Sequence, residues 1–419
     1  MSSGGKVQLA FVGVQDTYLT GRPETTFFRA VYKRYTNFSK ECIWVPFDGN
    51  PRKGGKSTGI LERQGDLVQE MFITADVSVA DADLNDGTKS NHLAYAAERL
   101  IDSVELYIGQ QLIDKHYQRW WRIYSELTHD EARKAQYSKM TSPDSAGTCS
   151  IYLPLMFFFN RNPGLAMPMV ALANQQVKIV CNWNKDEAIW TASDSTPTVL
   201  EPTIKLWADY IFLDQDERNV IKNRDQSYLI DQLQFGGIEN IESASRIQRI
   251  PLSFKHPVKE IVWCFPNTAQ SQQQYNYTTK PTNVTEKITA GQTEPHMSGG
   301  VVRLTDTATI SETSDGPLDT MRIEINKHKV TLDRDGNYYN KIQPNQHHTG
   351  CPMPGLYSYS FALQPESCKP SGSCNFSRIQ EAACYVKAKD LVNPKLEMYA
   401  TNFNVLDIKQ GFASLAFSN

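Results

Sequence analysis

The sequence predicts an all-β protein of antiparallel sheets built as two consecutive domains, and three observations carry that expectation. Apolar runs of strand length are separated by long polar excursions, with few βαβ repeats. Landmarks of the first half return in the same order in the second. The length of 419 residues exceeds one ordinary core and divides naturally into two domains of about 200 residues.

The boundary is residues 204–235, IKLWADYIFLDQDERNVIKNRDQSYLIDQLQF. Residues 204–213 are apolar, aromatic and β-branched, which fits a strand closing the first domain. Residues 214–225 are almost all polar and cross the surface as a linker or a solvated turn of helix. From Tyr228 the chain turns apolar again, with Leu229, Ile230 and Leu233 at helical spacing. The resulting division is an arm over 1–22, a first domain over 23–214, a linker over 215–230 and a second domain over 231–419.

The arm alternates small and apolar residues around glycines and needs something to lie against. After Pro23, residues Phe27, Phe28, Val31, Tyr32 and Tyr35 fall on one helical face opposite Arg29, Lys33 and Arg34. That helix either docks on a partner or lipid surface or packs beneath its own domain. Residues 41–47 form a short strand, and 48–59 a polar surface loop. The GGKST inside that loop lacks the first glycine of a phosphate-binding loop in register, so nucleotide binding is not predicted.

Residues 67–79 and 99–108 alternate as strands. Trp120, Ile123, Tyr124 and Leu127 at i, i+3, i+4 and i+7 predict a helix over 117–127. Thr128 with Glu131 has capping-box spacing and starts a second, more polar helix through Met140. Residues 151–159 and 170–180 are further strands, joined by turns at Pro163, Gly164 and Pro168.

In the second half, HPVKEIVWCF (256–265) stands beside RLIDSVELYI (99–108), and 356–363 takes the place of 151–159. LEMYATNFNVL (396–406) corresponds to KLWADYIFL (205–213). Three matches in order indicate an internal duplication. The excursion over 266–350 is longer than its counterpart; it opens as an exposed polar loop and returns to strands over 301–332.

A formal charge of −3 and a pI near 6.3 give no global basic field for non-specific nucleic-acid binding. No apolar run reaches membrane-spanning length and the N-terminus lacks the regions of a signal peptide, so a soluble protein made in a cytosol is expected. The eight cysteines include no C-x-x-C pair and are expected to be free thiols, among them Cys351, Cys368 and Cys374.

The segments QDTYLTGRPETTFFRAVYKRYTNFSKE, IGQQLIDKHYQRWW, FFFNRNPGLAMPMVALANQQVKI, ADYIFLDQDER, FKHPVKEIVW, YSYSFALQPESCKPSGSCNFSRI and YATNFNVLDIKQGFASLAFSN touch both ends and both domains. Together they resemble the major capsid proteins of the nucleocytoplasmic large DNA viruses. The resemblance implies two consecutive eight-stranded antiparallel jelly rolls, with short helices in loops and linker. It also implies a homotrimeric capsomer of pseudo-sixfold outline that tiles an icosahedral virion shell around an internal membrane. Partners implied are neighbouring capsomers, minor capsid and penton proteins and that membrane, with assembly in the host cytoplasm and no specific nucleic acid. The competing reading is a carbohydrate-binding or carbohydrate-active double jelly-roll protein, or a minor capsid protein of the same fold.

Candidate sites are few. Asn276 and Asn283 lie in sequons of the outward polar loop and are candidate glycan attachment points, whereas Asn37 and Asn375 read as structural. Phe27, Phe28, Val31, Tyr32 and Tyr35 are the candidate inner-face contact helix. His347 and His348 sit together in a turn-rich loop and read as solvated rather than metal-binding. Asp214, Asp216, Glu217 and Arg218 read as linker surface. No catalytic group, metal or cofactor is predicted.

Overall fold

The computed structural model describes residues 6, 9–11, 13–16, 20–77, 92–93, 95–142, 149–185, 202–241, 246–266, 277, 287–288, 296–298, 301–303, 316–389 and 395–417. The chain divides into two units, Met1–Asn37 and Phe38–Asn419. The second holds two β sandwiches in succession.

The first sandwich uses β1 (Phe38–Val45), β2 (Phe47–Asp48), β3 (Lys56–Leu61), β4 (Leu67–Val77), β5 (Ile101–Ile108), β6 (Gln111–Tyr117), β7 (Cys149–Pro154), β8 (Val177–Trp183) and β9 (Thr203–Leu213). One sheet runs β1-β9-β4-β7 and the other β2-β3-β8-β5-β6. Setting the two-residue β2 aside, the sheets order the strands 1-8-3-6 and 2-7-4-5, with antiparallel neighbours throughout. That interleaving is a jelly roll.

The second sandwich repeats the order. Its strands are β10 (Gln226–Asn240), β11 (Gln248–Pro251), β12 (Pro257–Cys264), β13 (Leu318–Ile325), β14 (Leu356–Ser360), β15 (Ala382–Ala388), β16 (Lys395–Lys409) and β17 (Phe412–Leu415). One sheet runs β10-β16-β12-β14, with β17 added beside β16 and Cys374–Asn375 beside β12. The other runs β11-β15-β13 and then the short strand His328–Lys329, with Arg334–Asp335 also on β13. The second roll follows this shared order with the two-residue His328–Lys329 as its fifth strand, and Cys374–Asn375, Arg334–Asp335 and β17 are added beside it.

Strand pleating accounts for the cores. In β4, Met71, Ile73, Ala75 and Val77 point inward while Glu70, Phe72, Thr74 and Asp76 point out. In β5, Glu105 lies opposite Lys115 of β6 with a 2.8 Å ion pair, a cross-strand match that helps fix register. Gly59 of β3 faces β9 so closely that a Cβ there would stand 2.7 Å from Leu206 Cδ2. The two sheets therefore meet with no room for a side chain at that point.

Several expectations are corrected. Residues 48–59 are not all loop, because 56–61 are β3, with Ser57 buried and accepting a 2.9 Å hydrogen bond from Trp183 Nε1. The apolar run from Tyr228 to Phe235 is not helical but part of β10, a strand that begins at Gln226 inside the expected linker. Helices α1 (Gln118–Thr128) and α2 (Glu131–Thr141) form as expected. The cap of α2, however, is Asp130, whose carboxylate accepts from Arg133 N at 2.8 Å; Thr128 Oγ1 instead donates to Tyr124 O within α1. Of the three landmark pairings, 356–363 with 151–159 and 396–406 with 205–213 fall on equivalent strands. The third does not, since β12 holds the sheet position of β4 rather than that of β5.

No helix stands over 23–35, which carries only turns and irregular backbone. A segment this short is marginal as an isolated helix in water, and its aromatic and β-branched residues are poor helix formers. Phe27 and Phe28 are 93% and 98% exposed, so no burial compensates for ordering them.

Candidate assembly surfaces

Both rolls carry an excursion between their fifth and sixth strands, and that of the first roll is the helical pair α1 and α2. The helix α1 is amphipathic on two sides. Trp121 points into the first core and donates from Nε1 to Pro154 O at 3.0 Å. Trp120, Ile123 and Leu127 point the other way and pack on Leu233, Val262, Cys264, Leu356 and Tyr399 of the second roll. These contacts cover the outer face of the β10-β16-β12-β14 sheet. Trp120 and Tyr399 rings lie 6.0 Å apart, and Tyr117 and Phe235 rings 4.8 Å.

Polar contacts close the joint. Arg119 Nη1 donates to Glu397 Oε1 at 2.6 Å, with the glutamate side chain only 3% exposed. Glu397 also accepts from Tyr399 OH at 3.0 Å. Lys259 and Arg161 approach Asp231 at 2.9 and 3.8 Å. Asp114 of β6 accepts from Leu233 N at 3.0 Å, while Gln232 Nε2 donates to Ile113 O.

Behind this joint lies a buried charge cluster. Glu126 is held by Arg122 and by Lys134 at 3.3 Å, and Tyr137 OH donates to Glu98 at 2.6 Å. Burial opposes charge on Arg122, but Glu126 overcomes it and holds the guanidinium protonated above its ordinary range. Lys134 Nζ also donates to Cys351 O at 2.5 Å, and Gly350 N donates to Leu127 O at 2.7 Å. A Cβ on Gly350 would fall 2.4 Å from Glu126 O, so the loop reaches the helix only because this position is bare.

Among the described residues, the corresponding sheet face of the first roll is left partly exposed, with Trp44 at 52% and Tyr152 at 43%. Trp44, Trp207 and Phe72 form a cross-strand row over β1, β9 and β4, with Trp207 and Phe72 rings stacked at 6.4 Å. Tyr152 adjoins Phe72 at 6.5 Å.

The chain therefore has two rolls of one topology, fused by a buried joint, with one such face covered and its counterpart partly exposed among the described residues. Comparison with known proteins agrees across the whole length. Residues 26–214 match the family model for the major capsid protein N-terminus, and residues 217–414 match that for the large eukaryotic DNA virus major capsid protein. The chain belongs to the major capsid protein family of large eukaryotic DNA viruses. It is 36% identical to the major capsid protein of Paramecium bursaria Chlorella virus 1, over 100% of both chains. It is 32% identical to that of Phaeocystis pouchetii virus, again over 100% of both. Among solved structures, the quasi-atomic model of the PBCV-1 virus capsid superposes with a TM-score of 0.80 at 32% identity, covering 94% of this chain and 100% of the other.

In this capsid family member the sequence-predicted sites fare unequally. Asn276 and Asn283 lie outside the described residues. Phe27, Phe28, Val31, Tyr32 and Tyr35 are all strongly exposed and share no helix face. Asp214 caps the helix α3 (Gln215–Asn223), accepting from Gln215 N at 2.7 Å, and Arg218 pairs with Asp66 at 2.9 Å. The linker charges thus anchor the helix between the rolls.

His348 is not solvated. Its side chain is 1% exposed, with Nε2 3.1 Å from Glu260 and Nδ1 3.3 Å from Glu366. Glu366 also accepts from Thr349 N and Oγ1, at 2.8 and 2.7 Å. Sequence spacing could not reveal this, because Glu260 sits on β12, far from the histidine in the chain. Among the described residues no group of three or more His, Cys, Asp and Glu is arranged to hold a metal ion.

Proposed function

We propose that this chain is a shell-building subunit that associates as a homotrimer with pseudo-sixfold outline and tiles an icosahedral capsid. The observation that supports this most is the repeated roll order together with the joint between rolls. The excursion of one roll on the sheet face of the next is a head-to-tail contact, the kind that repeats from copy to copy until a ring closes. Three chains supply six similar lobes, matched to a hexagonal lattice position. A permanent unit of this kind buries about 2,000–5,000 Å² per interface. In this reading the lobes are the two rolls joined by α3, and the subunit is assembled in the host cytoplasm. There it meets neighbouring capsomers, minor capsid and penton proteins and an internal membrane.

Light scattering should give three times the chain mass of 47.4 kDa, and negative-stain images a hexagonal outline. A folded monomer persisting at micromolar concentration would remove the reading. Within it the segment 27–35 contacts the inner face, because its five large apolar side chains are exposed and carry Arg29, Lys33 and Arg34 among them. Mild proteolysis should then trim residues before Phe38 from free capsomers and spare them in particles; equal cleavage in both would exclude an inner-face role.

A further inference from the structure

We propose that the second roll carries a pocket for one neutral sugar residue, in the hollow between Asp319, Asp335, Asn340, Lys341 and Lys389. Its lining comes from one chain, so binding does not depend on how copies associate.

The hollow lies at the end of the roll where β13 begins and β15 ends. Its volume of about 190 Å³ is below the roughly 300 Å³ at which sites for drug-sized ligands begin, which limits the occupant to a small molecule or the end residue of a longer one. Two glycines shape the wall. A Cβ on Gly336 would stand 2.6 Å from Leu318 O, and Gly355, at φ +93°, would drive one into Tyr277 O. The wall is therefore main chain at both points.

Between Arg334–Asp335 and β14 the chain makes the π turn Tyr338–Ile342. Such turns are rare and recur at functional sites. This one sets Asn340, 8% exposed, on the hollow. Its Nδ2 donates to Met353 O at 2.9 Å and to Leu356 O at 2.8 Å, which fixes the amide, while Oδ1 accepts no hydrogen bond among the described residues. A largely buried acceptor in that state favours a ligand that donates to it.

The two carboxylates are held in the same half-committed way. Asp319 Oδ2 lies 2.7 Å from Lys387 Nζ, and Asp335 Oδ1 accepts from Tyr338 N at 3.2 Å. Each has a second oxygen left to accept. Lys341 and Lys389 supply donors on the same lining, so two positive and two negative side chains balance. A phosphate would meet both carboxylates, and a metal ion would meet both ammonium groups. The hydroxyls of a neutral sugar suit both signs at once, since each can donate to a carboxylate and accept from a lysine. A nucleobase finds no platform, because the ring of Tyr357 is buried and stacked on Trp263 at 6.0 Å.

Saturation-transfer NMR on the full chain made in bacteria, with glucose, galactose and mannose as probes, tests the pocket. Transfer to at least one hexose is expected at millimolar concentration. Lys341→Met and Asp335→Asn change exposed side chains, and each is expected to weaken binding about tenfold by removing a charge-assisted hydrogen bond. Absence of transfer to all three sugars overturns the proposal, as does binding unchanged in both variants.

Lysine acetylation read by mass spectrometry locates the sugar without any substitution. The bound hexose is expected to slow acetylation of Lys341 and to leave the exposed Lys329 unaffected; equal rates with and without sugar at Lys341 overturn the site. Chain recovered from particles distinguishes two sources of the ligand. Binding equal to that of the bare chain indicates a glycan from another surface, whereas a pocket that binds only after deglycosylation indicates a sugar carried by the capsid itself.

Discussion

Arg119→Met is expected to lower the unfolding free energy by about 3–5 kcal/mol, the cost of leaving a buried carboxylate without its cation. Glu397 sits on β16 of the second roll and is 3% exposed; without the arginine, of these two contacts it keeps only the Tyr399 hydroxyl. Burial works against charge on Arg119, yet Glu397 outweighs it and pushes the guanidinium pKa further up, so the arginine stays charged. Restoring neutrality should reverse most of the damage. Arg119→Met combined with Glu397→Leu removes both desolvation costs and is expected to regain most of the lost stability. Urea unfolding at one fixed protein concentration measures the cycle, since association itself adds stability. A single-variant loss below about 1 kcal/mol would mean that the pair is screened like a surface ion pair and does not hold the rolls together.

The strands buried on one face were legible because one physical rule makes both the pattern and the structure. Apolar side chains at every second position of 71–77 and 104–108 point into the core, and both stretches lie in strands. The helix α1 was legible because Trp120, Ile123, Tyr124 and Leu127 share a face. The strand β10 was not. Ile230 and Leu233 have opposite parity and belong to different clusters, one packed with the first roll's core and one in the joint. A strand covered on both faces loses its period of two, and here its apolar residues imitate the helical spacing.

The joint was illegible for a different reason. Its pairs, such as Arg119 with Glu397 and Lys134 with the carbonyl of Cys351, lie hundreds of residues apart, and nothing local marks them. Even the duplication was only partly readable. HPVKEIVWCF and RLIDSVELYI share composition because both are central strands, yet sheet order assigns β12 to the place of β4. Composition reports burial, and only topology reports position. The segment after Pro23 errs in the opposite sense, for its aromatic spacing is real, but a helix of that length needs a surface to lie on.

His348 gives the largest expected dependence on pH. Burial opposes charge on its ring, but the carboxylates of Glu260 and Glu366 overcome that penalty and hold the imidazole up at about 9, from an ordinary 6.5. Glu260 responds in kind: burial pushes its carboxyl up, and His348 with Lys259 more than reverses the push, leaving it below the usual range. Because the folded-state value of the histidine is raised, its stabilisation is complete below about 6.5 and is lost as pH rises through about 9. The shift corresponds to about 3 kcal/mol across that window. The glutamate has the opposite sign, contributing above its ordinary value of 4.5 and losing that contribution as pH falls through its lowered folded value. The latch is therefore strongest between these limits, in weak acid. His348→Gln removes the titrating group while keeping a side chain that can donate a hydrogen bond to a carboxylate. Unfolding midpoints in urea at pH 6 and pH 9 should fall steeply for the unaltered chain and much less for the variant. The difference between the two isolates this ring from every other group that titrates there. Equal slopes would show that the loop carrying His348 is not held by its charge.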